Sequence, residues 1–121
     1  IKSLISKLKK DHITSKIPVI LFAREPGFSC NEMVQSQADC LSLYWSTKNI
    51  DLNFLSGKVA LQGNLNPEIL LQEDSIIKTE TNRILDKFKG YQGYIFNLGH
   101  GITPNISPDK IKLLTDHIRS R

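Results

Sequence analysis

Four short apolar runs separated by stretches of helical character do most to narrow what this chain can become. They are Ile17-Pro18-Val19-Ile20-Leu21-Phe22-Ala23, Cys40-Leu41-Ser42-Leu43-Tyr44-Trp45, Lys58-Val59-Ala60-Leu61-Gln62 and Gly93 to Leu98. Runs of this length between turn residues read as strands buried on both faces. Strands of that kind pair in parallel and need crossover connections, which helices supply while covering the sheet. The expected fold class is therefore α/β, and an open doubly wound sheet and a piece of a (β/α)8 barrel both satisfy the pattern.

The connecting segments agree. Ile1, Leu4, Ile5 and Leu8 fall at helical spacing and put the first residue inside a helix, so with no initiator methionine the chain is expected to continue upstream. Asn31 to Ala38 and Asn49 to Leu55 offer shorter helical pieces. From Ser75 to Phe88, the residues Ile77, Thr81, Ile84, Leu85 and Phe88 share one face, with Asp74 or Ser75 as a cap and Gly90 as a stop. A last helix starts at Ser107 as cap with Pro108 in its first turn, and directs Ile111, Leu114 and Ile118 inward. No repeat in the letters accompanies this repeat in pattern.

Composition excludes several functional classes. The 121 residues, 40% hydrophobic and 23% charged, suit one domain, and no run of about 18 apolar residues supports a membrane span. Cys30 and Cys40 fit neither a CxxC nor a zinc-ribbon spacing, so two reduced thiols are expected. The net charge of +4 favours anionic partners, but Lys2, Lys7, Lys9, Lys10 and Lys16 carry no interleaved aromatics and read as a solvated face, not a nucleic-acid footprint. Neither GxGxxG nor GxxxxGK[ST] occurs, so a nucleotide phosphate cradle is unsupported.

What the strands share is a polar or aromatic residue at each carboxyl end: Arg24, Tyr44 with Trp45, Gln62 with Asn64, and Asn97 with His100. In a barrel these ends converge on one mouth. His100 stands out because Gly99 and Gly101 let the chain turn sharply and approach a ligand, though a structurally packed histidine is the competing account. Arg24 can grip a carboxylate through two hydrogen bonds or be exposed or paired within the protein. Gln62 and Asn64 are expected to fix their loop through backbone hydrogen bonds, Trp45 to pack at the rim, and His12 and His117 to sit exposed on helices. A glycine-containing bend is expected at Glu25-Pro26-Gly27.

Val59-Ala60-Leu61-Gln62-Gly63-Asn64-Leu65-Asn66-Pro67 and Ile95-Phe96-Asn97-Leu98-Gly99-His100-Gly101-Ile102 resemble the two C-terminal signatures of the uroporphyrinogen decarboxylase family, at the separation that family shows. Pro18 to Ala23, Glu32-Met33, Ala38-Asp39, Leu43, Trp45 and the helix from Pro108 to Ile118 match as well, so the resemblance covers nearly the whole chain.

The resemblance implies that residues 1–121 are the C-terminal portion of a single (β/α)8 TIM barrel domain, about four βα units, with the N-terminal part missing. It implies an enzyme that removes the four acetate carboxyl groups of uroporphyrinogen III to give coproporphyrinogen III, in the cytoplasm, as a homodimer, with no metal or organic cofactor. His100 matches the family histidine that contacts the tetrapyrrole substrate. The family's principal catalytic aspartate and carboxylate-gripping arginines lie upstream, so no catalytic residue is expected within these 121, and the fragment alone is expected to be inactive.

The chain also departs from the family pattern. Ser42-Leu43-Tyr44-Trp45-Ser46 stands where relatives usually have Gly-Leu-Asp-Trp-Thr, so a phenol replaces an acid at a strand end. Glu25-Pro26 occupies a usually glycine-rich bend, and Asn66 replaces an aspartate before Pro67. Two alternatives remain: an inactive relative or basic binding module that keeps the barrel fold, and a zinc-dependent methyltransferase of the same superfamily. The latter would call for a His-x-Cys pair, whereas His100 is followed by Gly101-Ile102.

Overall fold

The structure, a computed structural model, describes residues 1–24 and 29–121, so the bend expected at Glu25-Pro26-Gly27 lies outside the described residues. Along the chain run α1 (Lys2–Lys10), β1 (Ile20–Phe22), α2 (Cys30–Val34), β2 (Cys40–Ser42), α3 (Leu52–Leu55), β3 (Ala60–Gln62), a 3-10 turn (Pro67–Leu71), α4 (Asp74–Lys87), β4 (Tyr94–Ile95) and α5 (Pro108–Arg119). The four strands form one parallel sheet in the order β1-β2-β3-β4, each neighbour in space also the next strand in sequence. That order is the arrangement of successive strands in a (β/α)8 barrel. The fold is α/β, part of such a barrel.

Register divides the sheet residues into two faces. Leu21, Leu41, Leu61 and Tyr94 pair in one row, and Phe22, Ser42, Gln62 and Ile95 in the next. Because successive side chains point to opposite faces, the first row enters the helix-covered core, where Leu41 and Leu61 join Leu55, Ile77, Ile84 and Phe88. The second row faces away from that core. Ile20, Phe22 and Ile95 remain 50%, 46% and 46% exposed there, while Gln62 Nε2 donates to Ser42 Oγ at 3.1 Å.

The ladders are shorter than the apolar runs suggested. Ile17 and Pro18 lie ahead of β1, exposed, where proline's missing N–H costs no ladder bond. Tyr44 and Trp45 lie beyond β2, although Leu43 still donates to the Gln62 carbonyl at 2.7 Å. Past β4, an isolated parallel bridge joins Leu65 to Leu98.

Local signals explain most helix starts. Ser29 and Glu32 form a reciprocal capping box on α2, Asp51 caps α3, Asn66 caps the 3-10 turn and Ser107 caps α5. The helix expected through Ala38 instead ends at Val34, and Gln37 takes φ 68°. The cap expected from Asp74 or Ser75 is corrected: Glu73 holds the N-cap of α4 without a side-chain bond, and Asp74 is instead engaged by Lys110 at 2.6 Å.

On α1, Ile5 is buried while Lys2, Lys7 and Lys10 are solvated, as expected. Lys9 differs: its Nζ donates to Asp39 Oδ2 at 2.5 Å, and the same oxygen accepts from the Val19 backbone at 2.6 Å. The Lys9 ammonium, with the Val19 N–H behind it, holds the Asp39 carboxyl below its ordinary range. Cys30 and Cys40 are free thiols, both buried, and burial pushes both upward in pKa.

Candidate functional site

The loops that leave β2, β3 and β4 are bound into one block. Asn64, after β3, is buried, and its Nδ2 donates to the Tyr44 carbonyl at 3.0 Å and to the Trp45 carbonyl at 3.4 Å in the loop after β2. In the loop after β4, Gly99 donates its N–H to the Leu65 carbonyl at 2.8 Å, and Leu65 donates to Asn97 at 3.2 Å. The Tyr94 hydroxyl donates to the Gly63 carbonyl, and burial pushes its pKa upward. Asn64 therefore fixes its loop as expected, whereas Gln62 bonds to the Ser42 side chain and not to backbone.

Close packing explains two of the glycines. Gly63 has φ +124°, and a Cβ there would come within 2.9 Å of the Leu43 carbonyl oxygen. On Gly99, a Cβ would overlap the backbone nitrogen and Cα of Trp45. A Cβ on Gly101 would meet nothing within 4 Å among the described residues beyond its chain neighbours, and neither Gly99 nor Gly101 uses left-handed backbone. The two glycines differ: Gly99 is small so that the backbone of Trp45 can pass, whereas a side chain on Gly101 would meet open space.

Onto this block the side chains converge. The His100 imidazole lies against the Tyr44 ring, centroids 5.8 Å apart and planes 24° from parallel, within the range of offset aromatic stacking. Arg24 Cζ sits 5.7 Å from the centroid of the same Tyr44 ring, close enough for a cation–π attraction. Trp45 meets Tyr44 at 5.5 Å and 47°. Among the described residues, Arg24 has no acidic partner. A cavity of about 370 Å³ opens beside His100, lined by Phe22, Ser42, Asn97, Leu98, His100, Gly101 and Ile102, so that it reaches across the uncovered sheet face from β1 to the loop after β4.

The hydrogen bonding of His100 defines what its ring can offer. Nδ1 lies 2.6 Å from the Gly101 carbonyl oxygen, and since a carbonyl only accepts, Nδ1 carries the proton and donates. The other ring nitrogen, Nε2, is then an acceptor while the ring is neutral and a donor once it is protonated.

The other histidines are placed differently from expectation. His12 is exposed but lies in the turn after α1, not on a helix. His117 is half-buried on α5, with Nε2 2.7 Å from Asn82 Oδ1 of α4, and so ties two helices together. Among the described residues, no three His, Cys, Asp or Glu side chains gather as metal ligands would, and no helix is long and apolar enough to cross a membrane.

Comparison with known proteins agrees with the architecture. The profile of the family described as uroporphyrinogen decarboxylase (URO-D) matches residues 1–121. A uroporphyrinogen decarboxylase of Paraburkholderia xenovorans is 37% identical over 120 residues, which is 98% of this chain and 32% of the relative. That of Alcanivorax borkumensis is 38% identical over 118 residues, 97% of this chain and 33% of the relative. That of Pseudomonas fluorescens is 39% identical over 109 residues, 89% of this chain and 31% of the relative. The chain thus spans about a third of the length of the curated relatives it matches, and with a family profile that runs from its first residue to its last, it belongs to the uroporphyrinogen decarboxylase family.

Proposed function

We propose that residues 1–121 are the C-terminal third of a uroporphyrinogen decarboxylase, in which they supply one side of the barrel mouth and hold substrate through His100. The observation that carries this reading is the convergence of Arg24 and His100 on the Tyr44 ring at the carboxyl ends of strands of one sheet, with His100 lining a cavity, in a chain whose whole length matches the family. The upstream two-thirds would carry the acid–base machinery, and the complete enzyme would act in the cytoplasm as a homodimer without metal or organic cofactor.

The chemistry accounts for the kind of groups present. Losing carbon dioxide from a pyrrole acetate breaks the bond between the methylene and the carboxyl carbon, and the electrons of that bond need an acceptor, which protonation of the pyrrole supplies. The methylene then takes a proton and becomes the methyl of coproporphyrinogen. Each turn requires a different acetate in the same position while the remaining carboxylates are held still, so hydrogen-bond donors at the mouth act by orientation. When protonated, His100 Nε2 donates to such a carboxylate; when neutral, it accepts from a pyrrole N–H.

In the complete enzyme, His100→Ala is expected to lower kcat/KM roughly 10- to 100-fold, the loss of a hydrogen bond to a charged group worth about 1.5–3 kcal/mol. Because the ring is only half-buried and its hydrogen bond among the described residues is to the neighbouring Gly101, the thermal midpoint should scarcely move. Steady-state kinetics beside a melting curve checks both, and unchanged kcat/KM would remove the assignment.

A further inference from the structure

We propose that Tyr44 is a positioning residue of this site, holding the His100 imidazole and the Arg24 guanidinium against a single aromatic ring so that both face the substrate's carboxylates already oriented. The inference rests on the decarboxylase reading above and adds a residue to it that the sequence signature does not supply, since relatives usually place an acid at this strand end.

Tyr44 is itself held firmly. Its carbonyl accepts from Asn64 Nδ2 at 3.0 Å and from the Thr47 N–H at 3.0 Å, and the next residue, Trp45, is pressed by Gly99. The residue after Gly99 is His100. The backbone that carries the phenol and the backbone that carries the imidazole are thus packed against each other, and their rings meet at 5.8 Å and 24°. Arg24, which follows the adjacent strand β1, is brought to the same ring at 5.7 Å.

The change from acid to phenol alters the electrostatics of the mouth. A carboxylate in place of Tyr44 would pair with Arg24 and compete with an anionic substrate for it. An aromatic face attracts the guanidinium while leaving its charge and its N–H donors available. Side chains lose rotamer freedom when they bind, so a ring that orders Arg24 and His100 beforehand lowers that cost. Pre-ordering of this kind acts on substrate capture more than on the bond-breaking step.

The test compares Tyr44→Phe, which keeps the ring, with Tyr44→Leu, which removes it, in the complete enzyme. Two readouts are taken: the NMR shifts of the His100 ring protons, which the neighbouring aromatic ring displaces, and KM and kcat for uroporphyrinogen. Tyr44→Phe should keep the displaced shifts and a KM within about twofold, whereas Tyr44→Leu should lose the displacement and raise KM about tenfold with kcat little changed. Should Tyr44→Leu fail to fold, Tyr44→Gln is equally non-aromatic, suits a half-exposed position and carries the same expectation. Ring-proton shifts that survive loss of the aromatic ring, or a KM that rises as much in Tyr44→Phe as in Tyr44→Leu, would overturn the proposal. A protein without decarboxylase activity would instead remove the functional reading, and the ring-proton comparison would still decide whether Tyr44 holds His100.

Discussion

Residues 1–121 expressed by themselves are expected to melt without a sharp cooperative transition and to bind a hydrophobic dye in buffer. The cause lies on the uncovered sheet face and at its two edges. Ile20, Phe22 and Ile95 are about half exposed on the face that a closed barrel would fill with side chains from its other strands. Full burial of such side chains contributes about 1.5–3 kcal/mol each, and much of that is forfeited in the open sheet. Beside β4, a second groove of about 360 Å³ lined by Phe96, Leu98, Ile102, Ile111, Leu114 and Ile118 is likewise uncovered. The outer edges of β1 and β4 present backbone donors and acceptors without strand partners among the described residues. Since a whole domain is stable by only about 5–15 kcal/mol, deficits of this size leave little margin. Calorimetry on the isolated chain checks the expectation, and a single sharp endotherm with equal calorimetric and van't Hoff enthalpies would contradict it.

Which features were legible in the sequence follows from the range of the interactions that create them. Helices α4 and α5 are long enough for periodicity to be decisive, and α4 is displaced by only one residue, Asp74–Lys87 in place of 75–88. Its cap was misread because Asp74 is a good capping residue locally, yet Lys110, 36 positions away, competes for the carboxylate. The box of Ser29 and Glu32 had a plain signal, S-x-x-E ahead of Met33, and could have located α2. The strands were placed by their apolar runs, but their paired lengths of two or three residues are set by partners that no single run reveals.

At the site, the family signatures and the position of His100 at a strand end were readable, and so was Asn64 as a loop-fixing residue. The stack of His100 on Tyr44 was not, because it joins positions 56 residues apart through ring geometry alone. Gly99 and Gly101 look alike in the sequence. Only the packed structure separates them, one against Trp45 and one against open space.

That separation gives the second large effect. Gly99→Ala, made in the complete enzyme, should destabilise by about 3 kcal/mol or more, because the added methyl would occupy the space of Trp45 backbone atoms and backbone cannot yield as a flexible side chain can. Any relief must come from moving the loop after β4 away from the loop after β2, which would break the Gly99-to-Leu65 bond and part His100 from Tyr44. Stability and substrate capture should therefore fall together. Gly101→Ala is the matched control: its methyl meets nothing within 4 Å among the described residues beyond its chain neighbours, its backbone is compatible with alanine, and stability should stay within about 0.5 kcal/mol. Gly101 lines the cavity beside His100, so if substrate enters there the control should raise KM without lowering the melting temperature. Denaturant titration of the two variants checks the contrast, and equal losses would mean that the glycine pair serves only the turn.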